Sequence, residues 1–169
     1  MSNLAQVSAL TFGLQALVTL FVIMDPLAAA PIFLGLAGHR SQKERRSLAI
    51  QGAGSSLTII VIFALFGQII LNYLHISLEA IQGAGGFLLF LTAMSFLTGD
   101  ISHEKEDSAH LNIAMVPIAT PLLAGPGAIV TTMLYAQYAH TLNAKVALGI
   151  AIISVHLLIA LILLGSGAI

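Results

Sequence analysis

Residues 23–31 of this 169-residue chain read IMDPLAAAP, and residues 118–126 read IATPLLAGP. The two stretches are identical at five of nine positions and lie 95 residues apart, counted from residue 23 to residue 118. Each contains two prolines five residues apart within an apolar segment. Similarity between distant stretches of one chain indicates an internal repeat. We therefore predict that the chain is built from two related halves.

The first proline of each stretch follows a residue that can cap a helix, Asp25 in one copy and Thr120 in the other. Asp and Thr are favoured at the N-cap, and proline is favoured at the first helical position. The pattern predicts that one half-helix starts at Pro26 and another at Pro121, so that two membrane spans are discontinuous. The alternative is that these prolines only kink two helices for packing.

The second proline of each copy, Pro31 or Pro126, removes a further backbone hydrogen-bond donor and is expected to disturb the same region again. Unwound backbone in the middle of a bilayer is stable only where it is buried in protein or lines a wet cavity. The two breaks therefore predict a cavity at that depth.

The composition excludes several classes of protein. Hydrophobic residues make up 58% of the chain and charged residues 8%, whereas a soluble domain has roughly 25% charged residues. A soluble monomer is therefore excluded. Six cationic against seven acidic residues leave a net charge of −1, which provides no basic surface for nucleic acid. The absence of cysteine excludes disulfides, thiol nucleophiles and cysteine-based zinc sites.

Long uncharged runs between clustered charges indicate a polytopic helical membrane protein. A hydrocarbon core about 30 Å thick requires roughly 20 residues of helix, and the strand alternation of a β-barrel is missing. The predicted fold is an all-α membrane protein, a polytopic helical bundle forming a single transmembrane domain over residues 1–169. Five spans are predicted, at residues 4–24 continuing brokenly to 36, 48–71, 80–97, 113–135 and 146–164.

The orientation follows from one basic segment. Residues 39–46, predicted to be a short loop, contain four of the six cationic residues, and the positive-inside rule places such a loop in the cytoplasm. The N-terminus is then outside.

Three spans separate equivalent points of the two copies, so the second copy is predicted to be inverted relative to the first. The first repeat covers residues 1–100, and the second, incomplete repeat covers residues 108–169. Inverted repeats with broken first and fourth helices are typical of secondary transporters, whose binding site lies at the bilayer midplane.

Asp25 is the main candidate for a binding residue, because it is the only carboxylate deep within a predicted span. It could bind a proton, a cation or a substrate amine, or it could simply cap a helix. The positive end of the half-helix at Pro121 could face a substrate carboxylate. His156 could relay protons, although a structural role is the simpler interpretation.

Other small and polar residues are interpreted as packing elements. The glycines of the second and third spans are expected to allow close approach of helices, and the polar residues at the start of the second span are expected to form interhelical hydrogen bonds. The glycines are Gly52, Gly54, Gly83, Gly85 and Gly86, and the polar residues are Gln51, Ser55, Ser56 and Thr58.

No enzyme motif is complete. Residues 103–107, HEKED, begin like a zinc-protease helix but have Asp where the second His is required. A glycine-rich phosphate loop is also missing. We therefore expect neither enzymatic activity nor a metal or other cofactor.

The residues resemble the MarC-type integral membrane proteins of bacterial inner membranes. The resemblance covers nearly the whole chain and rests on DPLxxxP at residues 25–31 and on NIAMVPIATPLLAGPGAI at residues 112–129. It implies a six-helix protein with its N-terminus outside, in a family classed with transporters of small neutral amino acids. The candidate substrate-binding residues are Asp25, Pro26, Pro31, Thr120, Pro121, Gly125, Pro126 and Gly127.

The sequence thus predicts a secondary transporter of a small neutral amino acid or a similar solute. The expected partners are the lipid bilayer and a small zwitterion with a proton or a sodium ion; a homo-oligomer is compatible with this reading. The alternative is a non-transporting membrane protein with a structural or partner-binding role in the envelope. Adding 95 residues to the third span places a sixth helix beyond Ile169, so either a truncated product or a five-helix variant is expected.

Overall fold

The computed structural model describes residues 8–37, 39–98 and 123–166, and within these residues every regular element is helical. This confirms the predicted all-α class. The helices are α1 (Ala9–Met24), α2 (Pro26–Ala37), α3 (Gln42–Leu74), α4 (Leu78–Thr98), α5 (Pro126–Tyr138) and α6 (Leu142–Gly165).

Three helical segments of the described chain are long and apolar enough to cross a membrane: Ala9–Gly35, Gln42–Leu74 and Leu142–Gly165. They contain the first, second and fifth predicted spans, apart from residues 4–8 and residue 36 of the first. The third predicted span, residues 80–97, lies within α4. The apolar stretch described there, Glu79–Leu91, is shorter than the three segments above. The fourth predicted span is described only from residue 123, and residues 113–122 lie outside the described part.

The first span is discontinuous, as predicted. Asp25 separates α1 from α2, and α2 begins at Pro26. The predicted break in the fourth span is also present near its described start, where Ala124 and Gly125 are not helical. The inverted relation between the two repeats stays a prediction.

The predicted loop at residues 39–46 is wrong in its C-terminal part, because α3 already begins at Gln42. Ser41 and Glu44 form a capping box. The Ser41 hydroxyl accepts a hydrogen bond from the Glu44 N–H at 3.3 Å, and the Glu44 carboxylate accepts one from the Ser41 N–H at 3.0 Å. This reciprocal pairing stabilises the first turn. With 33 residues, α3 is about 50 Å long and extends beyond the hydrocarbon core.

The buried core lies where α1, α3, α5 and α6 pack against one another, with α2 on α6 and α4 on α5. One stripe of α6 is buried at helical spacing, including Leu148, Ile152 and Val155. On α1, Ala16 and Leu20 are buried, whereas the opposite face is exposed and equally apolar. Because lipid tails solvate apolar side chains, this exposed face is suited to the bilayer.

Small residues allow the closest helix contacts. A Cβ added at Gly85 would lie 3.1 Å from Val130 Cγ2, so the predicted packing role is confirmed at this glycine. Added at Gly54, Gly83 or Gly86, a Cβ meets no atom of the described residues within 4 Å. Within the described residues these three glycines lie on exposed helix faces, and their packing role stays a prediction.

Candidate functional site

The two breaks line one cavity of about 180 Å³. Its walls come from the junction of α1 with α2, from the middle of α4 and from the first turn of α5. The lining residues are Ile23, Met24, Asp25, Ala28, Ala29, Ile32, Leu88, Leu89, Leu123, Gly125, Pro126, Gly127 and Ala128. We call this space the break cavity. It brings together Asp25, Gly125, Pro126 and Gly127, four of the predicted site residues, from positions about 100 residues apart in the sequence.

Asp25 ends one helix and begins the next. Its backbone is left-handed, with φ 39° and ψ 63°, and its N–H donates to the Phe21 carbonyl at 3.1 Å. Its Oδ1 accepts a hydrogen bond from the Ala28 N–H at 3.2 Å, which caps α2. Asp is one of the few residues that adopt left-handed backbone and also cap helix N-termini well. The same residue therefore supports both sides of the break.

The two prolines of the first copy shape α2 without lining the break cavity. Pro26 is buried at the first position of α2, where its missing N–H costs no helical hydrogen bond. Pro31 lies inside α2, which continues to Ala37. The prediction that Pro31 disturbs the break a second time was therefore wrong. A proline in the second turn affects only the carbonyl four residues earlier, and the following hydrogen bonds continue the helix.

In the second copy, the helix that runs to Tyr138 begins at Pro126 instead of Pro121. Gly125 is the N-cap, with extended backbone at φ −60° and ψ 164°, and Pro126 takes the first helical position. Pro26 and Pro126 thus each take the first position of a described helix. Thr120 and Pro121 lie outside the described residues.

The first turn of α5 lines the break cavity, and its first backbone N–H groups are not paired within the helix. Gly125 has no side chain to cap the helix, and no side-chain cap is present at this end. The first N–H groups of a helix have no partner within the helix and form its positive end. Gly127 and Ala128, which follow the cap, line the cavity. This wall can bind an anionic group such as a carboxylate.

Two leucines of α4 close the cavity, and the sequence reasoning missed both. Leu88 and Leu89 are apolar residues within an apolar span, so the sequence offered no signal for them. Gly127 makes room for Leu89, because a Cβ at Gly127 would lie 2.6 Å from Leu89 Cδ2. Asp25 is the one charged side chain among the described lining residues.

His156 belongs to a separate, buried pair between α3 and α6. Its Nδ1 lies 2.8 Å from the Ile152 carbonyl, and its Nε2 lies 3.2 Å from the Ser56 hydroxyl. A carbonyl can only accept, so Nδ1 donates; in the neutral ring, Nε2 then accepts from Ser56. His156 is 4% exposed and Ser56 is fully buried. Both ring nitrogens have partners, which supports the structural interpretation of His156.

The other polar residues predicted to bond between helices bond within α3. Ser55 donates to the Gln51 carbonyl at 2.6 Å, and Thr58 donates to the Gly54 carbonyl at 2.8 Å. Gln51 donates to the Ser47 hydroxyl. The interhelical prediction is thus confirmed for Ser56 and was wrong for the other three. The Ser55 and Thr58 hydroxyls reach the carbonyl one turn earlier, as hydroxyls in a helix readily do, and the longer Gln51 side chain reaches the Ser47 hydroxyl one turn earlier.

No group of three or more metal-ligating side chains lies together within the described ranges. The break cavity has the Asp25 carboxylate on one wall and the backbone N–H groups at the start of α5 on another. Such an arrangement can bind a cation or an ammonium group together with an anionic group.

A family profile described as MarC family integral membrane protein matches residues 10–169. The chain is 34% identical to a UPF0056 membrane protein of Aquifex aeolicus over 145 residues, covering 82% of this chain and 68% of that protein.

Archaeal proteins are similar as well. The chain is 40% identical to a UPF0056 membrane protein of Pyrococcus abyssi over 121 residues, covering 70% of this chain and 60% of the relative. It is 37% identical to one of Methanocaldococcus jannaschii over 150 residues, covering 85% and 73%. The chain thus spans roughly two thirds of the length of these relatives. No solved structure matches it significantly.

Proposed function

This chain belongs to the MarC family of integral membrane proteins, and we propose that it is a secondary transporter of a small neutral amino acid or a similar small zwitterion. The observation that carries the proposal is the break cavity. Asp25 and the start of α5 line the same space, which is where broken helices of a transporter bind substrate and coupling ion.

The depth of the cavity supports the proposal. Leu88 and Leu89 lie near the middle of α4, a helix of 21 residues. Helix α5 has 13 residues and is about 20 Å long, too short to cross a core about 30 Å thick by itself. A cavity between the middle of α4 and the start of a half-helix suits a midplane site.

The size and charges of the cavity fit a small zwitterion. Pockets for drug-sized ligands have about 300–1,000 Å³, so 180 Å³ suits a much smaller solute. The carboxylate of Asp25 would attract an ammonium group, a proton or a sodium ion. The N–H groups at the start of α5 would bind a carboxylate. We further propose a cytoplasmic basic segment at residues 39–46 in an inner membrane, and no catalytic activity.

The test is uptake of labelled alanine and glycine into proteoliposomes under imposed proton or sodium gradients. Asp25→Asn should abolish gradient-dependent uptake, because the amide still caps α2 but has no charge. The matched control is Glu79→Gln, which makes the same chemical change at an exposed carboxylate outside the break cavity. Wild-type uptake by Asp25→Asn would remove Asp25 from the mechanism.

A second function is favoured by one observation. The Asp25 carboxylate already caps α2 through the Ala28 N–H, so its presence in the membrane can be explained by structure alone. In a non-transporting envelope protein, Asp25 would need no role beyond capping α2. The longer Aquifex aeolicus relative should be assayed in parallel. No uptake by either protein would favour the structural or partner-binding role.

A further inference from the structure

A second and larger cavity lies apart from the break cavity, between α3, α5 and α6. It has a volume of about 580 Å³, and we call it the outer cleft. Its walls are mainly apolar and include Phe63, Met133 and Ile152. Leu65 and Ile153 also line it and are 66% and 52% exposed, so the cleft opens sideways to the bilayer.

One end of the outer cleft is polar. Gln68, Gln137, His140 and Lys145 come from α3, α5, the connection between α5 and α6, and α6, and all four line the cleft. Lys145 is exposed, is the only charged side chain of the lining, and has no ion-pair partner among the described residues. The cleft is therefore apolar along its length and cationic at one end.

The polar end lies at the membrane boundary. His140 is in the connection between two helices, and Lys145 is in the second turn of α6. On α3, the cleft uses residues 61–68, in the half of the helix that is farther from the basic segment at residues 39–46. The outer cleft therefore lies toward the side of the membrane opposite that segment.

We propose that the outer cleft binds an anionic phospholipid from this leaflet. An acyl chain would lie along the apolar walls, and the phosphate would contact Lys145 and the polar side chains beside it. Lysine and arginine side chains near a membrane surface attract anionic headgroups, and Lys145 places one such charge at the end of the apolar cleft. The volume falls within the range for ligand pockets of about 300–1,000 Å³. The proposal does not depend on the transport function.

The experiment uses the chain in nanodiscs with phosphatidylglycerol carrying a photoactivatable acyl chain, and phosphatidylcholine carrying the same chain. After irradiation, adducts are mapped by peptide mass spectrometry. We expect adducts at the cleft walls, such as Ala136 and Gly149, with about fivefold more from phosphatidylglycerol, the gain typical of one lysine at an anionic surface. Lys145→Gln should remove this preference, and Lys145→Arg should retain it.

A second pair of variants tests the cleft itself. A Cβ at Gly149 meets no atom of the described residues within 4 Å, so Gly149→Leu should fill the cleft without a backbone clash and abolish labelling of its walls. Gly54→Leu, at an equally open glycine outside the cleft, should leave labelling unchanged. Equal labelling by both lipids, or an unchanged preference in Lys145→Gln, would overturn the proposal. So would crosslinks between two copies through these walls.

Discussion

At the scale of single residues, Asp25 has two structural tasks that few side chains can combine. It takes the left-handed backbone that ends α1, and its carboxylate caps α2. Left-handed backbone outside glycine is most accessible to Asn and Asp, and both are good N-caps. This is why Asp25→Asn separates charge from structure, whereas Asp25→Ala would alter both.

A prediction at the same scale concerns the buried pair of Ser56 and His156. Ser56→Ala leaves His156 Nε2 without its partner in a buried site, and we expect a loss of about 1 kcal/mol in the free energy of unfolding. Unfolding in mixed micelles with increasing SDS measures this. Ser55→Ala is the matched control, since Ser55 bonds only to carbonyls of its own helix. Equal losses in both variants would refute an interhelical contribution.

At the scale of helices, packing depends on where small residues meet. A Cβ at Gly13 of α1 would lie 3.1 Å from Ala147 Cβ and 3.4 Å from the Ala147 carbonyl oxygen on α6. Neither atom can rotate away, in contrast to the flexible side chain of Met133 that faces Gly67. The contact between α1 and α6 at Gly13 therefore accommodates a larger side chain less easily than the contact at Gly67.

Gly13→Leu should force α1 and α6 apart and cost about 1–3 kcal/mol of stability, the usual effect of overpacking. The same SDS titration measures it. Gly86→Leu is the control, because a Cβ at Gly86 meets no described atom within 4 Å. A loss in Gly86→Leu as large as that in Gly13→Leu would show that the leucine itself, and not the helix contact, is responsible.

At the scale of the whole molecule, the basic segment and the connection between α5 and α6 should lie on opposite sides of the membrane. The outer cleft joins residues 61–68 of α3 to His140 and Lys145, which places this connection near the end of α3 remote from Gln42. Four cationic residues at positions 39–46 predict that the Gln42 end is cytoplasmic.

The chain has no cysteine, so single-cysteine variants can test this orientation. Asn143→Cys should react with a membrane-impermeant maleimide in intact cells with a permeabilised outer envelope. Gln42→Cys should react only after the inner membrane is opened. Both side chains are exposed. The reverse pattern would overturn the positive-inside assignment, and labelling of both cysteines from one side would show that Gln42 and Asn143 lie on the same side of the membrane.

Much of the fold could be predicted because membrane sequences contain few polar and helix-breaking residues. Charges mark the ends of spans, and the proline pattern marks the breaks, so the break at Asp25 and the helix start at Pro26 were confirmed. The capping box of Ser41 and Glu44 was also visible as S-x-x-E and would have shortened the predicted loop. In the second copy the pattern predicted a helix start at Pro121, whereas α5 begins at the second proline, Pro126.

The sequence by itself determined the helical membrane class, the position of the first break and the candidate residues Asp25 and Gly125–Gly127. Only the tertiary structure decided which helix faces meet. Lipid-facing and protein-facing residues are both apolar here, as Leu14 and Leu20 on α1 illustrate, so hydrophobic periodicity does not identify the buried side. The residues that line the break cavity together with Asp25, Leu88 and Leu89 among them, therefore follow from helix packing and not from local sequence.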